Sequence, residues 1–170
     1  MRLSYWIILL LVAFTTASAT GQTKTTEELH KSNGDALALF FYNNTLRMLN
    51  QADDKDFDAL IKDIERMKFL MIEKKQSFGL KQYNQLVSGY KSESFEEIMT
   101  SRYQGKNFDV FLKDKNGKTE GMVVTVNDST SLYVLDIVGS IALDKVTKLF
   151  STLDESSDIG KKIKDFTKKD

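Results

Sequence analysis

Apolar positions recur along this chain with two different periods, and the change of period divides it. Residues 36–42 (ALALFFY) form a short apolar run. Its length, and the cap signals Asn43-Asn44-Thr45 that follow, favour a strand over a buried helix. Leu46, Met48 and Leu49 then suggest a short helix. Between residues 53 and 65, Phe57, Leu60, Ile61 and Ile64 fall at i, i+3, i+4 and i+7, one apolar stripe that predicts a helix. Asp53, Asp54 and Asp56 crowd its start, with Lys62 and Arg66 near its end, as the helix dipole prefers. Residues 67–74 (MKFLMIEK) carry apolar side chains in both alternate sets and read as a buried strand. Leu80, Tyr83, Leu86, Val87 and Tyr90 mark a second amphipathic helix that stops around Ser92. This alternation of strand and helix predicts a βαβ-like half.

Beyond Ser92 the period falls to two. Residues 95–102, 108–113, 119–126 and 132–138 read as four consecutive strands. Asn116-Gly117 between two of them is a hairpin signal, because a type I′ turn needs positive φ at both central residues. Asn127-Asp128-Ser129 marks the next turn. Leu143, Val146, Phe150 and Leu153 predict a last amphipathic helix. With no internal repeat, the expected organisation is one domain over residues 35–153, preceded by a flexible lead-in at 20–34 and followed by a polar basic tail at 154–170. The expected fold class is α+β. It is a two-layer sandwich whose mixed sheet has about five or six strands, with a C-terminal antiparallel meander and helices on one face.

The beginning of the chain adds an address. Arg2 supplies positive charge, residues 5–14 (YWIILLLVAF) are an unbroken apolar run, and Ala17-Ser18-Ala19 is a small-x-small cleavage pattern. The run is too short for a bilayer core, which needs about 20 helical residues. Residues 1–19 are therefore expected to be a cleaved signal peptide ending at Ala19, with Gly21 as the alternative, which predicts export to the periplasm or beyond. No transmembrane span is expected after cleavage.

The chain carries 24 basic and 24 acidic residues, and removal of Arg2 with the signal leaves 23 against 24, a net charge of −1. That balance gives no electrostatic reason to expect nucleic acid, which calls for a strongly basic face. There is no cysteine, hence no disulfide, thiolate metal site or lipid-bearing cysteine.

The stretch from Phe95 to Phe150 resembles a family of small exported bacterial proteins catalogued only as a domain of unknown function. Glu96, Glu97, Ile98 and Met99 match its first strand, Asn116, Gly117, Lys118 and Glu120 its hairpin, and Gly139, Ile141 and Leu143 its final turn and helix. The likeness extends over residues 56–153. The resemblance implies a bacterial envelope setting in which lipoproteins are frequent, a state closed to this Cys-free chain. It implies no activity.

Candidate chemistry is sparse. His30, the one histidine, falls in the lead-in, where a general base would not be held. Asp54, Asp56, Asp58 and Glu65 match positions 1, 3, 5 and 12 of a calcium loop, but Ala59 stands where its glycine belongs and the apolar stripe demands a helix. Glu96 and Glu97 would lie on opposite faces of a strand, leaving Asp109 and Asp136 as lone carboxylates. Neither a catalytic, a cofactor nor a metal site is expected.

The sheet meander offers one further feature. If Val110, Val124 and Leu135 face the helices, then Phe111, Val123, Thr125, Leu132 and Val134 face away, and this second face is too apolar for an ordinary wet surface. Phe111, Val123, Thr125 and Val134 are thus a candidate partner surface, unless another element covers them. In the tail, Ile159, Ile163 and Phe166 oppose five lysines, a weak signal for contact with an anionic membrane surface. The expected function is a non-catalytic exported module binding an unidentified envelope protein or component. The alternative is a carboxylate-based envelope hydrolase.

Overall fold

A computed structural model of the protein describes residues 22–50, 53, 55–74, 78–103 and 105–141. The predicted signal with Ala19, the helix at 143–153 and the tail at 154–170 lie outside the described residues. The elements follow in the order α1 (Lys24–Ser32), β1 (Leu37–Tyr42), α2 (Asn43–Leu49), α3 (Lys55–Ile61), β2 (Ile64–Glu73), α4 (Leu80–Ser92), β3 (Glu96–Tyr103), β4 (Lys106–Lys115), β5 (Lys118–Asn127) and β6 (Ser131–Gly139).

The strands build one sheet in the order β1-β2-β6-β5-β4-β3. Every neighbouring pair is antiparallel, which corrects the expected mixed sheet. The predicted βαβ-like half is corrected as well, since β1 and β2, the strands on either side of α2 and α3, are adjacent and antiparallel. Counting directions through the pairings, β2 and β3 run parallel, but α4 carries the chain past three strands to the far edge before the meander returns to β2. Strand and helix alternation does not reveal which strands become neighbours.

Helices cover both faces of the sheet, which corrects the expectation of helices on one. On one face Tyr83, Leu86 and Tyr90 of α4 pack over Leu70, Ile72, Phe111, Val123, Leu132 and Val134, with Leu29 of α1 at the margin. On the other, Leu46 of α2 and Phe57, Leu60 and Ile61 of α3 pack over Met67, Phe69, Val110, Met122, Val124, Leu135 and Ile137. A sheet buried twice needs apolar residues in both alternate sets, and β2, β5 and β6 supply them.

Three local readings change. The supposed flexible lead-in contains α1, started by Thr23, whose side chain accepts from Thr26 N, with Glu27 in the first turn. Helix α3 is shorter than its apolar stripe, because Ile64 already belongs to β2. Asn43 fixes that junction by donating from Nδ2 to the carbonyls of Ile61 and Ile64, at 3.3 and 2.8 Å. Asn127 ends β5, and the turn after it is set by Asp128, whose Oδ1 accepts from Thr130 N and Ser131 N, both at 2.7 Å.

The Asn116-Gly117 hairpin has φ of 54° and 74°, as a type I′ turn demands. Gly139 is more constrained. Its φ is 110°, and a Cβ there would lie 2.2 Å from the carbonyl oxygen of Asp63. Gly117→Val should therefore destabilise the domain by about 1–3 kcal/mol through backbone strain alone. Gly139→Val should cost more, since strain and collision add, and chemical denaturation of the two variants side by side checks the ranking.

Candidate functional site

Phe111, Val123, Thr125 and Val134 do not form a surface. Each is 0% exposed, because α4 closes over them. The face read as a partner site is interior, and its apolar character is explained by packing.

What lies on that face instead is a buried polar seam beneath α1 and α4. Asp136 of β6 is 1% exposed and Lys68 of β2 is 0% exposed. They stand opposite one another across the β2–β6 pair. Asp136 Oδ2 accepts from Thr23 N at 3.0 Å and lies 2.8 Å from Thr23 Oγ1. Thr23 Oγ1 is also 2.6 Å from Thr26 Oγ1, which lies 3.1 Å from the Tyr90 hydroxyl. Burial raises the Asp136 carboxyl above the usual carboxylate range despite the threonine hydrogen bonds, and it raises the Tyr90 phenol too.

Helix α1 is anchored mainly by polar groups, since Thr26 is its one buried residue. Glu93, just after α4, accepts from Lys24 N at 2.8 Å and from Thr25 N at 2.7 Å. Together with the bonds from Thr23 N to Asp136 and from Thr26 N to Thr23 Oγ1, this pairs the first four N–H groups, which a helix cannot satisfy internally. The positive end of α1 is filled by the protein's own carboxylates. Glu27 of α1 meets the buried Lys68 ammonium at 2.7 Å, and that ammonium also sits 4.8 Å from the Phe40 ring centroid.

A second polar group lies further along the sheet. Asp109 of β4 accepts from the hydroxyls of Tyr83 and Thr100, while Tyr83 also reaches Thr125 at 2.8 Å. Burial, followed by the hydrogen bond to Asp109, pushes the Tyr83 phenol up. Asp109 and Asp136 are two strands and two residues apart in register, a separation of about 12 Å by strand geometry. Glu97 pairs with Lys91 at 2.9 Å. An open groove of about 550 Å³ runs past Gln22, Lys24, Glu93, Lys113, Glu120 and Asp136, with charges of both signs on its walls.

The remaining sequence candidates are dispersed. His30 lies on α1, its ring centroid 6.0 Å from that of Phe40. Asp56 and Asp58 occupy the first turn of α3 and Glu65 lies on β2, while Asp54 is outside the described residues. Among the described residues, no three His, Asp or Glu side chains converge as metal ligands. Nor is any helix there long and apolar enough to cross a membrane.

Sequence reading missed the two edges of the sheet. Strand β3 carries Glu96, Glu97 and Arg102 and a register shift between Glu97 and Met99. Strand β1 has the sequence LALFFY, with neither charge nor break, and Phe40 and Tyr42 are 52% and 61% exposed. Charges and bulges are what natural edges use to resist further pairing. Only β3 has them. The apolar run was legible; its place at an edge was not.

A family model described as Domain of unknown function (DUF4252) matches residues 31–149, and the chain belongs to that family. No curated protein and no solved structure matches it.

The seam generates a pH prediction. A carboxyl whose folded pKa exceeds its unfolded value binds its proton more tightly in the fold. Its contribution is therefore greatest below the unfolded value and is lost as pH rises through the folded one. Asp136→Asn keeps an acceptor for Thr23 N without the charge. The difference in unfolding free energy should move in favour of the variant as pH rises from about 4, and denaturant titrations across pH check it. A difference independent of pH would show that burial does not perturb Asp136.

Proposed function

We propose that this member of the DUF4252 family is an exported, non-catalytic interaction module of the bacterial cell envelope that makes its contact through the outer edge of β1. The carrying observation is the contrast between the two sheet edges. An unguarded strand edge presents a row of backbone donors and acceptors, and an extended segment from a partner can complete them as an added strand. The exposed rings of Phe40 and Tyr42 offer apolar side-chain contacts beside that row. Export is supported by the apolar run at residues 5–14 and the Ala17/Ala19 pair.

The hydrolase alternative draws less support. Two carboxyls working on one glycosidic bond stand about 5–10 Å apart in a cleft. The backbones of Asp109 and Asp136 are about 12 Å apart by strand geometry, and both carboxyls are engaged by hydroxyl groups from the helices or strands around them. Asp136 borders a groove, but its hydrogen bonds secure α1.

Two measurements test this reading. Intact mass of protein recovered from the envelope should show a mature chain beginning at Thr20 or Gln22, and retention of residues 1–19 would remove the export argument. A photoreactive side chain at position 40 in the exported protein should give covalent protein adducts, while the same group at Ile98 on β3 should give none. Equal labelling from both edges, or none from either, would rule out β1 as the contact.

A further inference from the structure

Helix α1 is seated by groups that water can replace. Thr26 is its one buried residue, and Leu29 is only partly buried against the core. The rest of its hold is polar: Thr23 to Asp136, Lys24 N and Thr25 N to Glu93, Thr26 to Tyr90, and Glu27 to Lys68. We infer that α1 is a strap that lifts off the sheet as one unit while the six strands and α4 stay folded, and that Lys68 and Asp136 become each other's partners when it lifts.

The swap of partners follows from register. Lys68 and Asp136 are directly opposed on neighbouring strands, on the face beneath α1, so their Cβ atoms stand about 5 Å apart. With α1 in place the two charges have different partners, Lys68 the Glu27 carboxylate and Asp136 the Thr23 hydroxyl. A buried charge that loses its partner is strongly destabilising, which ordinarily fastens such a helix in place. Here the departure of α1 admits water to both groups and leaves an ammonium and a carboxylate within reach of one another. Neither is left both dry and unpaired. Helix α4 has no such release, because Tyr83, Leu86 and Tyr90 bury its apolar face.

The unit that moves has visible limits. Its connection to β1 passes through Gly34, where a Cβ would meet nothing within 4 Å, so it bends without repacking. The family match begins at residue 31 and takes in the sheet and α4 but only the last two residues of α1. Gly89 marks the seat. It lies inside α4, where glycine weakens a helix, and a Cβ there would lie 2.7 Å from Thr25 Oγ1 and 3.3 Å from Thr25 Cβ. When α1 lifts, the groove loses its wall at Gln22, Thr23 and Lys24, and Asp136 opens to it.

Nine residues are too few for a helix to persist alone in water, so lifting exposes its amides. In native-state hydrogen exchange of the mature chain, amides at 28–32 should exchange together, about a hundredfold or more faster than those central in β2 and β6. Gly89→Ala favours α4 but crowds Thr25, and should speed α1 exchange about tenfold without changing the sheet. The chain has no cysteine, and positions 25 and 89 are close enough for a disulfide. Thr25→Cys with Gly89→Cys should therefore suppress the fast exchange when oxidised and restore it on reduction. Asp136→Asn keeps an acceptor for Thr23 N but removes the partner of Lys68 in the lifted state, and should slow α1 exchange. Exchange of α1 only at the rate of β2 and β6 overturns the strap, as does loss of sheet protection in step with α1 in Gly89→Ala. Faster α1 exchange in Asp136→Asn overturns the swap of partners, because Asp136 would then serve α1 alone.

Discussion

The pairing of β2 with β6 is the connection on which the rest of this structure depends. It joins the N-terminal strands to a meander that is otherwise a local succession of hairpins, and it places β2 inside the sheet with both faces covered. Without it, β1–β2 would be an isolated hairpin, which is marginal in water. With it, α4 must span from β2 to the far edge, and in doing so it roofs Phe111, Val123, Leu132 and Val134. The β2–β6 pair also brings Lys68 and Asp136 side by side in the interior, where neither could remain without partners.

Those partners come largely from α1. Its sequence has little apolar material, and it is secured by Asp136, Glu93 and Lys68 more than by burial of hydrocarbon. This arrangement explains why these titratable side chains lie deep in the interior. Asp136 and Glu93 receive helix N–H groups, and Lys68 receives a carboxylate and an aromatic face. Removing one member would strand the others in a dry environment, so the seam acts as a unit. A helix held this way should respond to pH more than one held by apolar packing.

The two edges of the sheet differ for a related reason. Strand β3 follows α4 and lies beside β4, with charged residues and a register shift along it. Strand β1 precedes α2 and continues the apolar character of the sheet to its rim. Among the described residues one edge strand carries charges and a register shift and the other carries neither.

Much of the local structure was decided by the sequence alone. The meander, its type I′ turn at Asn116-Gly117, and helix α4 follow from alternation, turn chemistry and helical spacing, all of which act between residues close in the chain. The family likeness rests on the same stretch. Helix α1 was not read from the sequence, because its polar composition led to the expectation of a flexible lead-in despite the Thr23 cap and Glu27 in the first turn. Tertiary structure decided what depends on distant partners. The antiparallel insertion of β6 beside β2, the second layer of helices, the burial of Phe111 and Val134, and the exposed edge at Phe40 all follow from strand order. Strand order is set by long-range pairing and by which faces the helices reach, and residues distant in the chain leave no periodic mark of that choice.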